Sequence, residues 1–241
     1  MINRRELLAG FAAASSRVRL LLAKQTSGVE QSPGTKRDRM GPRLRQVPLA
    51  EATPEVADKI YKRVFGEGRD PVAKPGTATG TPGNWYTVWA NSPRLFIPLW
   101  DLMLLELSPD MFPPKLREIA LVRTGFAAGS KFVYSQHRKS ARTAGLPDDK
   151  MDEVSSWGSS DKFDPAERSV LAYVDELVLA SGRVQDATME RLKKHLPDEQ
   201  ILNLTFTVCM YVLHATMCKA LRLEYDDADE RIVEVPAPSN R

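Results

Sequence analysis

The sequence predicts an all-α fold, on three observations. Apolar residues recur at helical spacing, as in Val170, Leu171, Val174, Leu177 and Val178. Helix starts are marked by proline, with a capping residue before it at Thr53-Pro54 and Asp164-Pro165. Alternation of apolar and polar residues, the mark of a half-buried strand, is confined to a short stretch from Arg231 to Val235.

The elements follow in order. Residues 1–46 hold ten Lys/Arg against three Asp/Glu and form a basic N-terminal segment. Its start, with Arg4-Arg5 and the Ala-rich run after it, has the form of a twin-arginine export signal; a basic amphipathic helix followed by a linker is the other reading. The chain then works either in the cytoplasm or, after export, in the periplasm. Residues 47–241 read as one all-α domain. A first helix runs from Thr53-Pro54 to Phe65. Five Gly and three Pro make residues 66–83 a long loop, a length often tied to function. The aromatic stretch Trp85, Tyr86, Trp89 leads to an apolar helix from Pro93 to about Leu107.

Further helices are expected from Pro114 to Phe126, from Lys131 to Ala144 (stopped by Gly145), and from Pro147 to Trp157. Asp164, Pro165 and Glu167 supply the cap, first-turn proline and N3 acid of another. Asp186 starts a short helix to His195. The last, Ile201 to Leu221, is apolar nearly all round. It is long enough to span a bilayer, but its Asn203, His214 and Lys219 favour the core or a contact between subunits over stable membrane insertion.

Composition removes several function classes. Residues 1–46 have a net charge of +7 and the remainder −4, so the globular part offers no nucleic-acid surface. Cys209 and Cys218 lie about 13 Å apart along one helix, too far for a disulfide. No Cys/His ligand spacing signals a metal, and no cofactor is signalled.

Chemistry concentrates between Pro114 and Leu146. Glu118 lies on one helix and His137 on the next, across a Gly129-Ser130 break. A carboxylate within reach of an imidazole is a minimal proton-transfer device. His137 shares a helix face with Val133, Ala141 and Ala144, so it is either a hydrogen-bonded core residue or a general acid/base. Glu118 either pairs with Arg117 or Arg123, or fixes the imidazole tautomer. Tyr134, one turn before His137, offers a phenol. Arg123 and Arg138 are candidate partners for a substrate carboxylate. Trp85 and Trp89 are core residues or a ligand wall beside the 66–83 loop. His214 and Cys218, one turn apart, have the spacing of an activated thiol, although their apolar setting suits an inert cysteine.

The order of Arg117-Glu118, Tyr134-Ser135-Gln136-His137, Ala144-Gly145-Leu146 and Pro165-Ala166-Glu167-Arg168 resembles the carboxymuconolactone decarboxylase family, which includes the alkylhydroperoxidase D group. The resemblance spans roughly residues 84–227. It implies a helical bundle of the alkylhydroperoxidase D-like type and a homo-oligomer, trimer or hexamer. It also implies a lyase acting on a small substrate of aromatic-compound catabolism. The peroxidase branch carries two cysteines four and seven residues before the histidine. Here those positions are Val133 and Ser130, so dithiol peroxidase chemistry is excluded. The acid found four before the histidine in another branch is also Val133. The sequence thus points to a cofactor-independent acid/base enzyme, decarboxylase or isomerase, acting on a small carboxylated or lactone-like ring. The alternative is a non-catalytic ligand-binding or assembly protein that keeps the fold.

Overall fold

The computed structural model describes residues 41–77 and 83–223. The export-signal pattern, the Arg231 to Val235 stretch and residues 78–82 of the long loop lie outside them. Among the described residues the secondary structure is helical, without strands.

Helix α1 runs from Pro54 to Phe65 with a π-helical turn over Ala57–Tyr61. Its start is fixed by the Thr53 hydroxyl, which accepts from the Val56 N–H. Gly83–Trp89 is itself a helix, α2, where the sequence reading saw only aromatics leading into the next one. Pro93–Glu106 is α3, Pro114–Ala127 α4 and Lys131–Thr143 α5. Asp148–Asp152, α6, continues into a 3-10 turn at Glu153–Ser159. Pro165–Leu179 is α7, with both halves of the Asp164/Glu167 capping box formed at 2.9 Å. Asp186–Lys193 is α8 and Asp198–Leu221 is α9.

The centre belongs to α4. Every residue from Arg117 to Gly125 is buried. Leu121 joins an aromatic core with α1, α2, α3 and the C-terminal half of α9. Ala120 joins a second core with α7, α8 and the N-terminal half of α9. Ile119 and Val122 join a third with α5, α6 and α7. The all-round apolar helix α9 has a different role from α4. It turns Leu204, Val208, Tyr211, Ala215 and Cys218 inward and leaves Leu202, Phe206 and Leu213 exposed. It is the one described helix long and apolar enough to cross a bilayer, and half of its apolar window is buried within the protein.

Helices α4 and α5 approach closely because residue 125 is glycine. A Cβ there would collide with the backbone N and Cα of Tyr134. The positive φ of Gly129, +61°, turns the chain between them. That turn brings Glu118 and His137, 19 residues apart, to the same depth.

Candidate active site

Each site residue is placed by its helix. Ser130 caps α5, its hydroxyl accepting from the Val133 N–H at 3.3 Å. Val133 is fully buried in the aromatic core. The two positions that carry thiols in the peroxidase branch are thus a helix cap and a packing residue. One turn on, His137 is 5% exposed, and its Nδ1 lies 2.8 Å from Oε2 of Glu118, itself 2% exposed. The other oxygen of Glu118 accepts from Arg117 Nε at 3.1 Å. Arg117 Nη1 in turn donates to the carbonyls of Glu106 (3.4 Å) and Leu107 (3.2 Å), at the C-terminus of α3, where helix carbonyls lack partners. Glu118 is thus paired with Arg117, in a buried contact rather than on the surface, and it also contacts the imidazole.

Burial works to raise the Glu118 carboxyl. The hydrogen bond and charge of His137, with those of Arg117, outweigh it and hold the group below the ordinary carboxylate range. An ionised Glu118 requires the proton of the contact to sit on His137 Nδ1, so Nε2 is the nitrogen left for proton exchange.

The other predicted site residues divide. Tyr134 is buried, but its hydroxyl receives Arg138 Nη1 at 3.4 Å and its ring leans on Phe126. Arg138 also binds Asp152 at 2.6 Å and Asp148 at 3.3 Å. Arg123 grips both oxygens of Asp175, at 2.5 and 3.0 Å, and donates to the carbonyls of Val154 and Ser155. Trp157 Nε1 completes that cluster at Asp175, 3.0 Å away. Arg123 and Arg138 therefore tie helices together, their guanidinium groups already paired with Asp175, Asp152 and Asp148.

The phenol that reaches the histidine is that of Tyr211, from α9. Its ring meets His137 edge-on at 4.4 Å and His214 at 5.2 Å. His214 then meets Trp85 at 5.5 Å, and Trp85 meets Trp89 at 5.8 Å. Trp85 and Trp89 thereby join the site through His214. Burial, together with Glu106 and Glu118, raises the Tyr211 phenol well above its ordinary value. Burial, with the charge of His137, pushes His214 down to about 4. Its Nε2 has no hydrogen-bond partner and Cys218 is fully buried, which speaks against an activated thiol.

Glu106, at the end of α3, went unnoticed in the sequence. It is 2% exposed and neither carboxyl oxygen finds a partner; Thr207 stands beside it, short of hydrogen-bond geometry. Burial pushes this acid up to about 8 despite the charge of Arg117. Its only signal was an acid closing a largely apolar helix. Among the described residues no three His, Cys, Asp or Glu side chains cluster as a metal site would require.

The fold is an all-helical one of the alkylhydroperoxidase D-like type. Residues 93–176, the segment bearing Glu118 and His137, match the model of the carboxymuconolactone decarboxylase family. The alkylhydroperoxidase AhpD core of an uncharacterized peroxidase-related protein from Ralstonia eutropha JMP134 has a TM-score of 0.61 at 18% identity, over 77% of this chain and 93% of that one. An AhpD-type antioxidant-defence candidate from Agrobacterium tumefaciens has a TM-score of 0.53 at 23% identity, over 58% of this chain and 96% of its own. The debrominase Bmp8, solved as a variant with 2,3,4-tribromopyrrole, has a TM-score of 0.54 at 15% identity, over 58% of this chain and 75% of its own. At these identities the likeness is one of fold. No curated protein matches the sequence.

Proposed function

We propose that this protein is a cofactor-independent acid/base enzyme, of decarboxylase or isomerase type, acting on a small carboxylated or lactone-like ring. The observation that carries the reading is the buried 2.8 Å contact between Glu118 Oε2 and His137 Nδ1. In this reading Glu118 fixes the tautomer, and His137 Nε2 moves a proton at the carbon next to a carbonyl. The imidazolium formed on proton uptake is stabilised by Glu118. Loss of a proton to His137 leaves an enolate that the imidazolium so formed reprotonates at another carbon; loss of CO₂ leaves an enolate that a His137 already protonated from solvent quenches, ending neutral. Ser130 and Val133, in place of thiols, support this chemistry over a dithiol one. That a protein of the same fold was solved with a small planar ring is consistent with the size of substrate proposed.

The test is incubation with a panel of unsaturated lactones, cyclic enones and their carboxylated analogues, read by mass spectrometry, with His137→Gln alongside. Turnover that disappears in the variant is expected. Turnover that persists at full rate in a folded His137→Gln protein would overturn the mechanism.

The proposal includes self-association, as trimer or hexamer. Leu202, Phe206 and Leu213 on α9 are 68%, 42% and 47% exposed on one stripe with Cys209 between them, and such a stripe favours a partner. Light scattering showing a stable monomer at micromolar concentration would remove this part.

A further inference from the structure

We infer that the aromatic core between α2, α3 and α9 is the substrate's seat, and that it takes an uncharged planar ring with carbonyl oxygens rather than a carboxylate. The inference rests on the acid/base reading above and narrows it to the isomerase type, proton transfer on an uncharged ring, because a decarboxylase substrate carries a carboxylate.

The observation is a concentration of unmet polar atoms. Nε1 of Trp85, of Trp89 and of Trp100, Nε2 of His214 and both carboxyl oxygens of Glu106 are buried without a hydrogen-bond partner. Native interiors leave few such groups, and each forfeits its hydration. These groups are not scattered. Trp85 touches Trp89, Tyr86 and His214, and Tyr86 touches Trp100 at 6.1 Å. The series continues from His214 through Tyr211 to His137. Three indole donors and an imidazole nitrogen therefore lie in one connected set of rings that ends on the proposed proton carrier. Indole N–H groups only donate, so what completes them is a ligand rich in acceptors. Edge-to-face ring walls favour a flat one.

Charge decides between a carbonyl and a carboxylate. Arg117 faces Glu118, Arg123 faces Asp175, and Arg138 faces Asp152 and Asp148. An anion would enter this core without a cation to meet it, beside Glu118 and Glu106, at a large desolvation cost. A neutral enone, quinone or unsaturated lactone gives the indoles their acceptors without that penalty. Glu106, held largely protonated at neutral pH by burial, adds an O–H donor.

The experiment is calorimetric titration of the full-length protein at pH 7 with 2-pyranone, an uncharged lactone ring, and with benzoate, a carboxylate of similar size. Saturable binding of 2-pyranone is expected, with benzoate at least about tenfold weaker. Trp85→Phe and Trp100→Phe keep a ring but remove an N–H. Each should weaken 2-pyranone about three- to tenfold, while the unliganded melting temperature stays level or rises, because the deleted donor had no partner. Trp157→Phe is the control: its N–H serves Asp175, so melting should fall and affinity stay unchanged. Should one variant fail to fold, Trp89→Phe carries the same test. Equal binding of benzoate, absence of saturable 2-pyranone binding, or full affinity in the folded Trp variants would overturn the inference. Failure of the acid/base reading looks different: 2-pyranone binds as described, yet no lactone or enone is turned over.

Discussion

The two sides of α4 treat polar groups in opposite ways. Toward α5, α6 and α7, buried charge is matched: Arg123 holds Asp175, Arg138 holds Asp152 and Asp148, and Lys150 meets both oxygens of Glu167 at 2.6 Å. Toward α2, α3 and α9, three indoles, an imidazole nitrogen and a carboxyl are left without partners. Buried networks that are fully satisfied hold a fold rigid. Groups left unmet are where a ligand gains most. His137 and Glu118 sit at the boundary: the pair itself is satisfied, while the histidine ring faces the unmet side through Tyr211.

Removing the boundary group should have the largest effect. His137→Gln is expected to fold and lose about 10²–10⁴-fold in rate, equivalent to about 3–5 kcal/mol of barrier. Glu118→Gln should lose less, since the proton carrier remains. Melting and turnover measured on the same samples check this; a destabilised but fully active His137→Gln would instead mark a core histidine.

A break on the matched side should register in stability. Arg123→Met leaves Asp175 without its cation, and loss of about 2–4 kcal/mol is expected, at the lower end because Asp175 retains some solvent contact. Denaturant titration reads the loss, and turnover per folded molecule should be unchanged. A variant that folds normally but stops turning over would return Arg123 to the substrate.

The unmet side should show itself in pH dependence. Burial pushes Glu106 from its ordinary 4.5 up to about 8. A raised folded pKa stabilises fully below the ordinary value, and that stability is lost as pH rises toward 8. Burial, with the charge of His137, pushes His214 from 6.5 down to about 4. A base lowered in this way stabilises above 6.5 and loses that share as pH falls toward 4. The two trends oppose each other below 6.5, and Glu106 acts alone above it. Wild type should therefore lose about 2 kcal/mol between pH 6.5 and 8 relative to Glu106→Gln. Parallel stability curves for the two proteins would show that Glu106 is solvated.

The smallest effect belongs to the thiols. Cys209 is exposed and bonded to nothing in the chemistry proposed, so Cys209→Ser should change stability by less than about 0.5 kcal/mol and leave turnover intact. Loss of activity in that variant, with folding intact, would reopen thiol chemistry.

The sequence by itself determined most of the helices and one carboxylate–imidazole pair. Proline, capping side chains and 3.6-residue spacing act within a turn or two, so the starts at Thr53, Pro93, Pro114 and Asp164 could be read directly. Glu118 and His137 were legible for the same reason, since a single short turn joins their helices. Tertiary structure decided everything that depends on distant partners. Arg123 and Arg138 have the chemistry to bind a substrate carboxylate, but packing gave them Asp175, 52 residues away, and Asp152, 14 residues away. Tyr134 looked like the phenol of the site, yet Tyr211 from α9 reaches His137. Glu106 became a buried acid only because α4 and α9 close over the end of α3. Helix formation is governed by neighbours along the chain. Whether a buried polar group finds a partner is governed by which helices pack together, and no local pattern records that.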